Sequence, residues 1–195
     1  MHEMDNMRAR ICAGVNASVV TIRRLSSQAE RIAAVCSAVV DVLRGGRSVL
    51  TAGNGGSAAE AMHMAEELVG RYRGNRRSLP GIALTADGTA MTCIGNDFGF
   101  EHVFGRQIEG LGKAGDLLVV FSTSGNGANL RQAVETARSQ GLRTICMLGR
   151  DGGALAGHAD LEIIVPGGDT AHIQEAHQVI LHLILEEVER VFCVS

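Results

Sequence analysis

The chain has 195 residues, 46% of them hydrophobic and 20% charged, with a formal net charge of −3. That length accommodates one domain of the larger common size with a sizeable core. The charge gives no electrostatic footprint for a nucleic-acid or anionic-membrane partner, and a single Tyr with no Trp leaves little material for stacking bases. No apolar run approaches a membrane span, and the N-terminal stretch reads as lacking a signal-peptide core. Cys12, Cys36, Cys93, Cys146 and Cys193 are scattered, with no C-x-x-C pair. They fit a reducing cytosol better than a disulfide framework or a cysteine zinc site.

Residues 7–44 repeat apolar side chains at helical spacing, interrupted only by Gly14, and predict one or two long helices. Their apolar stripe fits core packing, packing between subunits, or both. After Gly45-Gly46 the pattern changes to short strand-like runs alternating with helices. Strands are expected at 47–52, 81–85, 116–121, 142–148 and 161–165. Helices are expected at 58–69, 128–140 and 173–192, with helical turns at 87–94 and 103–111. Continuous apolar strands alternating with helices predict an α/β fold. It is a Rossmann-like doubly wound parallel sheet with right-handed crossovers and helices on both faces. With no linker or low-complexity tract, 1–195 reads as one domain, an N-terminal helical arm over 1–45 and a core over 46–195.

A strand, a Gly/Ser loop and a helix occur twice, at LTAGNGGSA and VFSTSGNGAN. In open α/β sheets ligands bind at the carboxyl ends of the strands, where both loops fall. The glycines of Gly53-Asn54-Gly55-Gly56-Ser57 let the backbone approach a ligand, and the next helix offers free N–H groups. Ser122-Thr123-Ser124 places three hydroxyls ahead of a helix N-terminus, which suits a phosphate monoester and exceeds what a cap needs. Either loop alone fits an ordinary capped turn equally well. Neither carries the Walker pattern, and the first misses G-x-G-x-x-G.

His63 and Glu67, four apart, share one helix face at roughly 40°. The closing helix carries Gln174, Glu175, His177 and His182, and Gln174 and His182 lie within roughly 80° of each other. Polar groups from two helices can therefore converge on one pocket. The bland alternatives are a surface pair for His63 and Glu67 and a hydrogen-bonded core imidazole for His182, which sits inside VILHLIL. Glu66 points away from His63 in this reading and serves solvent or structure.

The stretches AGNGGSAAEAMHMAEELVGRY, IGNDFGFEHVFGRQIEGLGKAGDLLVVFSTSGN and HIQEAHQVILH resemble the phosphoheptose isomerases of the sugar isomerase (SIS) fold, from Val49 to the end. GNGGS and STSGN mark the broad superfamily. His63-x-x-x-Glu67 combined with Ile173-Gln174-Glu175 and His182 is more specific. The resemblance implies aldose–ketose isomerisation of sedoheptulose 7-phosphate to D-glycero-D-manno-heptose 7-phosphate in the cytoplasm. It implies Glu67 as base and His182 as acid. Asn54, Gly55, Gly56 and Ser57 would line the sugar site with Glu67 and Gln174, Asn96 and Asp97 would contact substrate, and Ser122, Thr123 and Ser124 would hold the phosphate. It further implies a homotetramer built around the N-terminal helices, with active sites at subunit boundaries. One Zn²⁺ per subunit would be bound through His63, Glu67, Gln174 and His182. One departure stands out: the family reads Ser where this chain has Gly127, which removes a hydroxyl from the phosphate loop.

Two other readings compete. One is a DiaA-like, non-enzymatic SIS-fold regulator of replication initiation, which keeps the loops but lacks the acid–base pair present here. The other is a SIS isomerase of another sugar phosphate, which a substrate panel separates.

Overall fold

The apolar runs pair into one five-stranded parallel sheet in a computed structural model that describes residues 2–193. Met1, Val194 and Ser195, which the expected domain includes, lie outside the described residues. The strands are β1 (Val49–Gly53), β2 (Gly81–Ala83), β3 (Leu117–Ser122), β4 (Arg143–Gly149) and β5 (Leu161–Val165), in the order β2-β1-β3-β4-β5. Every neighbour pair is parallel. The central strands β1 and β3 are buried along their whole lengths, as a sheet covered on both faces requires.

Strand periodicity sorts the core into two layers. Val49, Leu117, Val119, Phe121, Ile145 and Met147 face the side covered by α2 (Ala29–Arg44), α3 (Gly56–Val69) and α7 (Thr170–Phe192). Leu50, Leu118, Val120, Cys146 and Leu148 face the side covered by α4 (Gly88–Phe98), α5 (Gly105–Leu111) and α6 (Ala128–Ser139). Each fully buried Val, Leu or Ile contributes about 1.5–3 kcal/mol.

The arm is two helices. α1 (His2–Arg23) is separated from α2 by a 3-10 turn over Arg24–Gln28. Two side chains at that turn anchor it to the β5 end of the sheet, Arg24 donating to the Pro166 carbonyl at 3.1 Å and Gln28 to the Ile164 carbonyl at 2.9 Å. α4 starts on Asp87, whose carboxylate accepts from the N–H groups of Thr89 and Ala90. It continues through Phe98, past the turn expected to end at 94. α7 starts on Asp169 in the same manner.

Strand order reverses between β1 and β3, so the loops that follow these strands flank one crevice at the switch point. The two Gly/Ser loops singled out in the sequence are these loops.

Candidate active site

The two loops are tied together. Asn54 donates to Asn129 at 2.9 Å and accepts from it at 2.8 Å, a reciprocal amide pair between the β1 loop and the first turn of α6. Gly55 precedes α3 at φ 57°, ψ −123°, a conformation that glycine adopts without strain. Gly55 and Gly56 are exposed and Asn54 is half-buried, whereas Ser57 is only 3% exposed.

In the β3 loop, Ser122 Oγ accepts from the Gly125 N–H at 3.0 Å and Ser124 Oγ from the Asn126 N–H at 3.3 Å. Both hydroxyls brace the turn as acceptors and keep their O–H protons for donation. Thr123 is half-buried between them. Gly125 has φ 64°, and a Cβ there would overlap the Gly152 carbonyl, so the loop rests directly on the Gly152-Gly153 turn. α6 then begins at Gly127 without a side-chain cap. A Cβ at Gly127 would sit 3.0 Å from Asn129 Oδ1 and 3.1 Å from Asn54 Nδ2, so glycine gives the amide pair room.

Polar pairs follow one another along the seam between α3 and α7. Innermost, Glu60 Oε1 faces His177 Nδ1 at 3.7 Å, with both residues buried. His177 Nε2–H donates to the Leu148 carbonyl at 3.1 Å, which ties the pair to β4. In the middle, His63 Nδ1 lies 2.9 Å from Gln178 Oε1 and donates to it. Outermost, His63 Nε2 lies 3.4 Å from Glu67 Oε1, and the His182 ring meets the His63 ring edge-on at a centroid distance of 5.4 Å. The side chains of His63 and Glu67 are 30% and 16% exposed, too buried for an ordinary surface pair. The core imidazole is His177; His182 is half-buried. Burial first, and then His63, push the His182 imidazole below the usual histidine value against the opposing pull of Glu67, while Arg73 adds to the lowering and Glu186 opposes it.

The donor set suits a cation. Because Gln178 takes the Nδ1 proton, the neutral tautomer of His63 leaves its Nε2 lone pair toward the Glu67 carboxylate, the arrangement that orients metal-binding histidines. Ligand atoms of His63, Glu66 and Glu67 lie within 4.8 Å of one another. Glu66 is exposed, in keeping with a solvent residue, but its carboxylate is not turned away from His63. An i,i+3 step on a helix makes neighbours. Gln174 lies further up α7, its amide against Gly56 at the start of α3.

Asn96 and Asp97 stand apart from this cluster. They lie exposed on the last turn of α4, where Asn96 donates to Asp97 at 2.8 Å and Cys93 Sγ lies 3.7 Å from it. Sequence reasoning missed Gln178, although its spacing midway between Gln174 and His182 on one helix side was a signal. It also missed Tyr72, whose ring stacks on His182 at 5.5 Å with a 24° interplanar angle. Tyr72 sits in an aperiodic loop that offered no pattern. An apolar groove of about 760 Å³ lies away from this chemistry, between the arm and α7, lined by Ile22, Leu25, Ile32, Cys36, Val179 and Leu183 among others. Asp41, Arg44 and Glu187 also line it, but none of the candidate acid–base residues does, so the polar seam and loops are the better candidate site.

Residues 15–149 match the SIS domain family. The chain is 46% identical over 187 residues to a phosphoheptose isomerase of Geobacter sulfurreducens, covering 96% of this chain and 97% of that one. Among solved structures, the phosphoheptose isomerase GmhA of Neisseria gonorrhoeae superposes with a TM-score of 0.90 at 37% identity, covering 95% of this chain and 100% of that one. A phosphoheptose isomerase from Francisella tularensis gives 0.84 at 33% identity, covering 97% and 100%.

Proposed function

The chain belongs to the SIS-domain phosphoheptose isomerases, and from that premise we propose that it interconverts sedoheptulose 7-phosphate and D-glycero-D-manno-heptose 7-phosphate through a cis-enediol(ate). Moving a proton between C1 and C2 requires a base at carbon and a group that trades a proton with oxygen. Glu67 carries the proton between the carbons. His182, its imidazole lowered from the usual histidine value by burial, gives and takes the proton at oxygen. The observation that carries this reading is the outer cluster, where a carboxylate and two imidazoles from helices far apart in sequence meet at one end of the seam.

The hydroxyls of Ser122, Thr123 and Ser124 hold the phosphate, helped by the N–H groups that open α6. Those N–H groups take over from the hydroxyl that Gly127 lacks. Asn54, fixed by Asn129, and Gly55 and Gly56 border the sugar. His63, Glu67 and His182, with Gln174 beyond them, would hold one Zn²⁺ per subunit in the resting site, with Glu67 and His182 released when substrate binds, and a bound zinc would polarise the substrate oxygen.

The homotetramer has support in α1. Met4, Met7, Ile11, Val15 and Val19 form an exposed apolar stripe at helical spacing, from 40% to 61% exposed. A second copy of the chain is the expected cover for it. Among the described residues no helix is long and apolar enough to cross a membrane. The cysteines are free thiols, and burial pushes Cys36 up to about 11. Both facts fit a cytoplasmic enzyme.

The test is turnover of sedoheptulose 7-phosphate in deuterated water. Product with solvent deuterium at the reacting carbon is expected. Absence of turnover, with turnover of a different sugar phosphate in the same panel, would replace the substrate. Absence of turnover on every sugar phosphate would remove the enzyme reading.

A further inference from the structure

The segment between α3 and β2 has no regular structure, yet it is firmly held. Glu189, on the last turn of α7 and 9% exposed, accepts from the N–H of Tyr72 at 3.1 Å, of Arg73 at 3.0 Å and of Gly74 at 2.7 Å. Burial alone would raise its carboxyl. The N–H groups of Gly74, Arg73 and Tyr72, and then the Arg76 guanidinium, outweigh burial and hold it below the usual carboxylate range. Gly74 passes so close to the end of α7 that a Cβ would lie 2.6 Å from Cys193 Sγ. Arg76, its side chain 0% exposed, lies 3.8 Å from Glu189 and donates to the carbonyls of Glu67 and Leu68. Those carbonyls belong to the last turn of α3 and have no partner within the helix. One carboxylate–guanidinium pair thus joins the end of the helix that bears Glu67 to the helix that bears His182.

What this clamp delivers is Tyr72. Its ring lies on the His182 imidazole at 5.5 Å, an offset-stacking distance, and the Arg73 guanidinium sits 4.7 Å from the same ring. Arg73 also bonds the Tyr72 hydroxyl at 3.0 Å and pairs with Glu186 at 3.0 Å. Among the described residues, His63 and His177 have hydrogen bonds that fix their rings, to Gln178 and to Leu148. The contacts to the His182 ring are aromatic: His63 edge-on and Tyr72 in a stack. The last torsion of a histidine is broad without such contacts.

We propose that Tyr72 is a positioning residue that fixes the His182 imidazole for its proton transfer, and that Glu189 and Arg76 are the anchor that holds Tyr72 there. The proposal rests on the reading that His182 acts at oxygen. It predicts an effect on turnover and little on substrate affinity, because Tyr72 acts through His182.

Steady-state kinetics with sedoheptulose 7-phosphate on Tyr72→Phe, Tyr72→Ala, Glu189→Gln, the Tyr72→Ala/Glu189→Gln double variant and His182→Asn test it. Tyr72→Phe keeps the stack and should stay within about twofold of the parent. Tyr72→Ala should lower kcat about tenfold with KM changed less than about twofold. Glu189→Gln should lower kcat similarly, and the double variant should be no worse than the worse single, because both act on one ring. Unchanged kcat in Tyr72→Ala, a Phe variant as poor as the Ala variant, or additive losses would overturn the proposal. His182→Asn separates the two readings: full turnover there defeats the role of His182 itself. An inactive His182→Asn beside a fully active Tyr72→Ala defeats only the positioning role. If Glu189→Gln does not fold, the Phe and Ala variants at the half-buried Tyr72 decide the matter.

Discussion

The seam between α3 and α7 carries two carboxylate–imidazole pairs, and they are built to opposite ends. Glu60 and His177 are 3% and 0% exposed, and the imidazole is locked to a strand carbonyl. Both Glu60 oxygens and His177 Nδ1 have no hydrogen-bond partner among the described residues. Glu67, His63 and His182 are half-buried and held by an amide and by aromatic rings. The residue types match, so type alone does not make a catalytic pair. The inner pair has no access to a substrate and can only tie α3, α7 and β4 together. The outer pair is partly open to solvent, and burial lowers its His182 imidazole from the usual histidine value, so both partners can exchange protons with a ligand.

The strongest challenge to this contrast is Glu67→Gln. It should reduce turnover about 10³-fold, the usual scale for a lost general base, while isothermal titration still detects substrate binding. Activity within tenfold of the parent would place the outer pair with the inner one. Next is His177→Leu, which leaves Glu60 buried without its partner. A loss of about 3 kcal/mol is expected, seen as a midpoint lower by about 10 °C in calorimetry, with kcat of the folded fraction nearly unchanged. A loss of turnover without a loss of stability would show that the inner pair takes part in the chemistry.

A smaller effect sharpens the contrast from outside the seam. Ser124→Ala removes a hydroxyl far from the reacting carbons and should raise KM about tenfold while kcat falls less than about twofold. A fall in kcat at constant KM would link the phosphate loop to the acid–base cluster. The smallest effect concerns the outer end of the seam. The Glu189 carboxyl is held low in the fold, so the unfolded chain takes up the proton more readily. Its contribution to stability is complete above the ordinary carboxylate value of 4.5 and is lost as pH falls through the lower folded value. Glu189→Gln should be less stable than the parent at neutral pH, and the difference should shrink toward pH 3 in urea melts. A constant difference would mean that the carboxylate charge is not what holds the loop.

Much of the helix geometry was legible because it is periodic. His63 and Glu67 at i,i+4, and Gln174 and His182 along one side of α7, follow from 3.6 residues per turn. The same arithmetic was misapplied to Glu66, whose i,i+3 step brings its carboxylate beside His63 and Glu67. Asn96 and Asp97 fall on a helix that runs longer than the pattern suggested, capped at its start by Asp87. The core-histidine alternative weighed for His182 is realised five residues earlier, at His177. His182 has the more apolar flanks in sequence, VILHLIL against QEAHQVI, yet His177 is the sealed one, so local pattern alone ranks the two the wrong way round.

From the sequence alone came the order of strands and helices, the two-sided burial of the sheet, the two loops at its carboxyl edge and the helix faces that carry polar groups. All of these depend on local spacing and on glycine, serine and apolar runs. Only the tertiary structure decided which imidazole is sealed and which is open, that Gln178 orients His63 across 115 residues, and that an aperiodic loop lays Tyr72 on His182. Helical period sets the direction of a side chain on its own helix. The contacts it finds, and the water it loses, depend on how two helices far apart in sequence pack on one shared core.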